Sequence, residues 1–576
     1  ADSNGLDENF LFREAWRYRN WVVDAVNADV PFDRFLLEQI AGDLLPYKSI
    51  EERDRLRIAT GFLVVGPKVL LGVPPARQKM EIADEHIDTI GRAVLGQTLG
   101  CARCHDHKFD PIPTADYYAL AGIFTSTQVM ETRFMLGQQR LMERLVGLHE
   151  DGHEKEDAYE KYWRERPAIA ERRKKAQSAL EALEKGNRAA FEELLQSDAA
   201  AIAAAAKSAD ATREQRIADQ RAHVAGLQKT VDTTAPIPPR AMIATDADSP
   251  ADERIRLAGS FDSPGEVVAR GFLKVVSDGV VKVPDGQSGR QQLAAWLTDV
   301  EHGAGRLTAR VMANRVWHHL IGQGIVRTVD NFGRTGDLPS HPQLLDHLAG
   351  RLIEHNWSIK ALIRGVVLSR TNAMSSRHDD ISWKIDPENR LLWRCNRRRL
   401  DPETLRDTML QAADQLDLTP LDSTVSYLTD QATGVGNAVR RKTDYLNRSI
   451  YLPVIRNDLP ELFDVFDFAD PQMTTGRRPD TTMATQALFV LNDSMVMDTA
   501  SMTAKRAMSE MQDPQQRVRR MFELILNDVP TADEQQLIGQ FVNDAIAGSH
   551  DDDSELKAWA LVCHSLYASS RFQILE

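Results

Sequence analysis

The chain has 576 residues, 42% of them hydrophobic and 27% charged, with a formal net charge of -14. That length exceeds what one hydrophobic core organises, so about two to four domains are expected. The acidic balance argues against a nucleic-acid surface, which needs clustered Lys and Arg without offsetting acids, and no run of about 18 apolar residues reads as a membrane span.

The opening Ala1-Asp2-Ser3-Asn4-Gly5 has no basic-then-apolar stretch, so this chain reads as a processed form or an excised fragment without a signal peptide. Between residues 10 and 45, apolar side chains recur at helical spacing: Phe12, Trp16, Trp21 and Val22, then Phe32, Phe35, Leu36 and Ile40. Pro31 after Asp29 marks a fresh helix start. The stretch Gly61 to Pro75 reads as loop or short strand, punctuated by Gly and Pro. A helix is predicted from about Arg77 to Leu99, leading into a cysteine motif, and a buried helix from Ala115 to Phe124.

From about Asp157 to Val231 the chain is rich in Ala, Glu, Lys, Arg and Gln, strong helix formers with little bulky apolar content. Two or three long helices are expected there as a solvent-exposed hairpin, broken near Gly186-Asn187 and around Ser208-Ala209-Asp210. Residues 240–285 carry β-rich segments, Ile255–Gly259, Val267-Val268 and Phe272–Val276, separated by Gly, Asp and Pro. From Gly289 onward the pattern is helical to the end, so the fold class is mainly α. There is no clear internal repeat.

Four cysteines are present: Cys101, Cys104, Cys395 and Cys563. That is no disulfide framework; Cys395 and Cys563 read as two buried free thiols, with a mutual disulfide as the alternative. Cys101-Ala102-Arg103-Cys104-His105 is the pattern of covalent haem attachment. Two thiols at i and i+3 reach the two vinyl carbons, and the histidine at i+4 follows on the same face as the proximal iron ligand. Zinc competes, because Cys101, Cys104, His105 and His107 are four N or S donors in seven residues. A tetrahedral site usually takes two ligands from one knuckle and two from elsewhere, and no second Cys-x-x-Cys exists. A thioredoxin-like redox pair is a third reading, without the βαβ pattern that should surround it.

The run Gly100-Cys101-Ala102-Arg103-Cys104-His105-Asp106-His107-Lys108-Phe109-Asp110-Pro111-Ile112 resembles the signature of the planctomycete-type cytochrome-like domain. Ala1–Gly5, Pro31–Phe35 and Gln39–Pro46 are similar to the same domain. Thr308–His319, Asp330–Gly333, Ser340–Pro342, Asp386–Arg390, Arg397–Leu400, Arg448–Tyr451, Gln486–Leu488 and Leu491–Asp493 resemble its customary partner, a C-terminal domain of unknown function. Resemblance and composition together give four parts. The resemblance implies a helical c-type cytochrome-like domain over 1–134 and a helical C-terminal domain over 289–576. The composition between them reads as a helical hairpin or coiled-coil insertion over 135–235 and a small β-rich segment over 236–288. The resemblance also implies a periplasmic or otherwise extracytoplasmic protein, often with a further cytochrome domain upstream.

The expected cofactor is haem c, with its iron on His105 and with Cys101, Cys104 and His107 as further cofactor-binding residues. His107 is read as a propionate partner or as a partner of Asp106 or Asp110. Met80 and His86 are candidates for the opposite axial position. Along the helix carrying Asn314-Arg315-Val316-Trp317-His318-His319, Asn314 and His318 share one face, and Arg315 and His319 the next. Together with His341, Arg315, His318 and His319 are either a buried hydrogen-bonding network or the catalytic and distal side of a pocket. Arg397-Arg398-Arg399 is a clamp for haem propionates or an acidic substrate, or else an exposed basic run. Asp386, Glu388 and Arg390 are read as capping and salt-bridging a helix start.

The function expected from these readings is that of an extracytoplasmic c-type haem oxidoreductase or electron-transfer protein, served by a redox partner or an upstream cytochrome domain. The alternative is a non-redox protein with a structural Cys/His site, zinc-bound or empty, and a helical domain for binding or hydrolysis. Its ligand would be a small molecule or a carbohydrate.

Overall fold

Aromatic residues three and four apart give the first helix, α1 (Ala15–Asn27), a buried stripe through Trp21 and Ala25, and Asp29 reverses the chain at φ +51°. Pro31 then starts α2 (Phe32–Ala41). Trp21 and Phe35 stack at 5.1 Å, so the two aromatic runs form one small core together with Ala59. The computed structural model describes residues 1–6, 10–135, 138–197, 212–233, 236–277, 282–425, 444–548 and 553–575. They form two compact units. One gathers residues 1–45, 58–128 and 244–576, and the other gathers 46–57 and 129–243.

In the first unit α3 (Pro75–Ile90) precedes the cysteine motif and α4 (Thr114–Thr125) follows it. The expected single helix to Leu99 stops at Ile90, where the chain widens into a looser turn over Gly91–Leu95 and ends on Gly96 at φ +58°. Only glycine fits there without strain, because a Cβ would lie 2.8 Å from the Phe332 ring. The Gly61 segment is also not strand: Thr60–Leu63 is a 3-10 turn whose Leu63 carbonyl accepts from His86 Nε2 at 2.7 Å. As expected, α4 is buried, including Tyr117, Tyr118 and Phe124.

The second unit carries the predicted long helices. α5 (Gly152–Glu184) packs on α6 (Arg188–Ser197) and α7 (Arg213–Asp232), and the break falls at Gly186-Asn187 as its composition indicates. The other expected break, at Ser208-Ala209-Asp210, lies outside the described residues. Phe191 packs with Ala179, Ala182 and Leu183, and buried Gln220 donates to the Ala176 carbonyl at 2.9 Å. Two hairpin-like pairs, β2 (Met130–Met135) with β3 (Gln138–Glu143) and β4 (Leu145–Gly147) with β5 (Arg240–Met242), belong to this unit. Buried Glu156 holds Arg133 and Arg240 there.

The chain re-enters the first unit through β6 (Thr245–Asp246), which pairs antiparallel with β1 (Thr127–Gln128). Fully buried Arg290 secures this point with five side-chain bonds: two to Asp43 (2.7 and 2.9 Å), two to Asp246 (2.7 and 3.1 Å) and one to the Ile40 carbonyl (3.1 Å). β7 (Glu253–Arg256) and β8 (Pro264–Val268) pair antiparallel. Strand is thus found at Ile255-Arg256 and Val267-Val268, whereas the rest of the expected Ile255–Gly259 segment, Leu257–Gly259, is a 3-10 turn. Phe272–Val276 is not a strand. Its Lys274–Val276 part is a 3-10 turn, because the Lys274 N–H donates to buried Asp116 at 2.8 Å and Phe272 stacks on Trp296.

The remainder is helical. α8 (Arg290–Thr298), α9 (Gly305–Ile321), α10 (Pro342–Glu354) and α11 (Ile359–Val367) come first, then α12 (Pro402–Ala412). α13 (Ala484–Asn492), α14 (Ser494–Glu510), α15 (Pro514–Leu526) and α16 (Ser554–Ala568) enclose a core that includes Met409, Val496, Phe522, Trp559 and Cys563. Among the described residues every sheet is two-stranded, so the fold is mainly α. Cys563 is buried and Cys395 half-buried, and both are free. Asp386 does not start a helix: it accepts the N–H groups of Arg390 and Leu391 in a turn after Asp380–Ile385, while Glu388 pairs with Arg327.

Candidate functional site

The cysteine motif begins on a 3-10 turn, Leu99–Arg103. What lies between the cysteines fixes how they point. Ala102 is fully buried, and the Arg103 guanidinium is ion-paired to Glu81 (3.0 Å) and Asp84 (3.0 Å) on α3. The hydroxyl of Tyr117 donates to Asp84, and that of Tyr118 donates to the Arg103 carbonyl at 3.0 Å. Glu81 is held below the usual carboxylate range by its bond to Arg103. With residues 102 and 103 anchored inward, Cys101 and Cys104 are both exposed, free thiols.

Gly259, at φ +73°, approaches Cys104 so closely that a Cβ there would lie 2.4 Å from Sγ. Phe109 and Leu257 are large apolar side chains left 51% and 57% exposed in the segments adjoining the thiols.

His105 is exposed, and its Nδ1–H donates to the Asp106 carbonyl at 2.7 Å. That bond selects the tautomer whose free lone pair is on Nε2, the form in which imidazole binds a metal. His107 is placed differently. It is buried, and its Nδ1 accepts the backbone N–H of Asp110 at 2.9 Å, leaving Nε2–H toward Thr98 at 3.5 Å. The ring closes its own loop and does not join the thiols. Among the described residues no three His, Cys, Asp or Glu side chains converge on a point that could hold a metal ion.

The donor set tests well against haem c. Two accessible thiols stand at i and i+3, and one imidazole has Nδ1 engaged and Nε2 open, which is what covalent attachment and axial ligation require. Met80 and His86 are core residues of α3: Met80 is buried, and His86 is bonded to Leu63 and packed on Phe124 at 5.1 Å.

The C-terminal candidates divide. Asn314 is fully buried and grips both backbone groups of Val326 at 2.9 Å, a structural role. Arg315, His318 and His319 instead line a cavity of about 600 Å³. Arg398 and Arg399 of β9 (Arg398–Arg399), which pairs with β10 (Ile574–Leu575), line it too, as do Arg477 and Arg478. Burial, then His319, Arg477, Arg315 and Arg398, lowers the His318 pKa to about 4, so its imidazole is neutral near pH 7. His319 is lowered by burial and by Arg315.

His341 bonds Ser340 Oγ at 3.0 Å before α10 and is not among the lining residues, and neither is exposed Arg397. Arg477 and Arg478 were not singled out from the sequence; the tandem basic pair in Gly476–Pro479 was the available signal.

Fold and site together define a mainly α protein that presents a Cys-x-x-Cys-His turn on its surface and an arginine-lined cavity in its C-terminal helical region. Residues 1–129 match the family model described as PSCyt2, protein of unknown function (DUF1549). Residues 289–542 match PSD1, protein of unknown function (DUF1553), and the two are the paired domains typical of planctomycete proteins. No curated protein and no solved structure matches the chain.

Proposed function

We propose that the chain is a c-type haem protein, with haem attached at Cys101 and Cys104 and its iron on His105. It would work outside the cytoplasm as an oxidoreductase or electron-transfer protein, served by a redox partner or an upstream cytochrome domain. The observation that carries this reading is the orientation of His105: Nδ1 is bonded to the Asp106 carbonyl at 2.7 Å beside two exposed thiols. The bond keeps the ring in one tautomer and directs the Nε2 lone pair outward. The Arg103 ion pairs and buried Ala102 hold the turn so that both thiols stay accessible. When bound, haem supplies one-electron chemistry at iron. Among the described residues no helix is long and apolar enough to cross a membrane.

The test is expression in an export-competent host that carries haem-attachment machinery. A Soret band and a haem stain that survives denaturing electrophoresis are expected. Both should vanish in the Cys101→Ser/Cys104→Ser variant, and His105→Ala should alter the spectrum of whatever haem remains attached. Protein that carries zinc and no Soret band from that host would overturn the reading.

A further inference from the structure

The arginines around the C-terminal cavity are not all neutralised. Arg478 is held by Glu403 through two bonds of 2.7 and 2.8 Å, and Arg399 by Asp467 at 2.5 Å. Asp401 and Asp480 stand farther off, 3.9 Å from Arg478 and 3.8 Å from Arg399. Arg315, Arg398 and Arg477 have no carboxylate partner among the described residues. Arg315 donates only to the Ala93 carbonyl (2.6 Å), and Arg398 to the carbonyl of His319.

Arg315 is half-buried with no carboxylate in contact among the described residues. Asp330 acts on it from farther off, but burial outweighs that charge, a cost that an anion in the cavity would offset. His318 adds a second observation: its Nδ1 is buried with no hydrogen-bond partner among the described residues, and burial, then His319 and the neighbouring guanidiniums, disfavours protonation of the ring. This positive surplus sits in a chain whose net charge is -14, so it is not a by-product of general basicity. Guanidinium is the group best suited to bind the oxygens of a phosphate, sulfate or carboxylate in pairs. The cavity, about 600 Å³, is of the size that takes a small molecule.

We propose that this cavity binds a small molecule through a multiply charged oxyanion, with Arg315, Arg398 and Arg477 as its partners and His318 as a neutral hydrogen-bonding group beside it. The inference is independent of the haem reading, because none of these residues belongs to the cysteine turn.

The experiment titrates the full-length chain with inorganic phosphate, sulfate and malonate in turn, at constant ionic strength set with chloride, by calorimetry. Saturable one-site binding of at least one probe is expected, and the best binder distinguishes a tetrahedral from a planar oxyanion. Arg477→Gln and Arg398→Gln should each weaken it about tenfold without moving the unfolding midpoint. Arg477 is the cleaner variant, since no hydrogen bond or ion pair ties it to another group among the described residues, whereas Arg398 donates to the His319 carbonyl.

A second readout is histidine-selective NMR. Bound probe should raise the pH midpoint of His318, and Arg477→Gln should remove that shift. No saturable binding of any probe, or equal affinity in both variants, overturns the proposal. The titration is run on haem-attached chain and on Cys101→Ser/Cys104→Ser. Equal binding in both supports a site of its own, whereas binding confined to the haem-free chain assigns the cavity to haem propionates and overturns it.

Discussion

The Asp110 carboxylate accepts the backbone N–H of Arg334 at 2.8 Å, joining the segment just after the Cys-x-x-Cys-His turn to a loop more than two hundred residues later. The same carboxylate lies where a Cβ on Gly333 would come within 2.5 Å, and the Phe332 N–H donates to the Gly96 carbonyl at 2.7 Å. The cysteine segment and the Asn331–Arg334 loop therefore share one set of bonds, part-buried where Asp110 meets Arg334.

Removing that carboxylate takes the acceptor from the part-buried Arg334 N–H. Asp110→Ala is expected to cost about 1–3 kcal/mol, and Asp110→Asn, which keeps the acceptor oxygen, less. Gly333→Ala should be destabilising as well, because the new methyl meets Asp110. Denaturant unfolding followed by tryptophan fluorescence measures all three, and an Asp110→Ala chain as stable as the parent would contradict this account.

Arg290 is the most demanding of the buried ion pairs, with no exposed surface and two carboxylates, Asp43 and Asp246, bound to it. Arg290→Ala strands both acids, with an expected loss of about 3–5 kcal/mol. Lysine at this position cannot reproduce the forked bonds to two carboxylates and should rescue little. Comparing soluble yield and unfolding midpoint of Arg290→Lys with those of Arg290→Ala decides the point.

Arg103→Ala should act on the cysteine turn itself. Glu81 and Asp84 lose their shared cation, and nothing then holds residue 103 inward against α3. Lower haem occupancy per chain is expected, together with a loss of stability of about 1–3 kcal/mol. The ratio of Soret to protein absorbance after expression with attachment machinery reports the first effect, and unchanged occupancy would show that the ion pairs do not orient the thiols.

The pH dependence of stability has a definite sign. An imidazole held near pH 4 in the folded chain and titrating near 6.5 when unfolded takes up its proton preferentially in the unfolded state. Stability therefore falls as pH drops from about 6.5 toward 4, and it is retained above that window. For His318, partly open to solvent, the loss between pH 7 and 5 is about 1 kcal/mol after allowance for screening. Buried His86, also lowered, adds in the same direction. His318→Gln should flatten part of the profile in denaturant titrations at the two pH values, and an unchanged profile would mean that His318 is not held neutral by burial and by His319, Arg477, Arg315 and Arg398.

Much of this was legible in the chain before any tertiary contact. The Cys101–His105 spacing, the aromatic periodicity of α1 and α2 and the helix-forming composition of α5 and α7 are local properties, set by 3.6-residue geometry and side-chain propensity. The mainly α class follows from them. Helix ends were less legible: α3 gives way at Gly91 to a wider turn that ends on Gly96, which lies against Phe332, a residue remote in sequence.

The Arg315–His319 run read equally well as a network or as a pocket, since helical periodicity gives a face but not what meets it. Tertiary structure decided it by burying Asn314 against Val326 and bringing Arg398 and Arg477 to the same cavity as His318.

The thiols show the same division. Sequence alone determined that two cysteines and a histidine stand at haem-attachment spacing. Only the fold, by tying Arg103 to Glu81 and Asp84 and His105 to the Asp106 carbonyl, decided that both thiols point outward beside an open Nε2, while His107 turns into its own loop. Spacing is a property of the backbone near one residue, whereas orientation depends on charges and hydrogen bonds contributed from elsewhere in the chain.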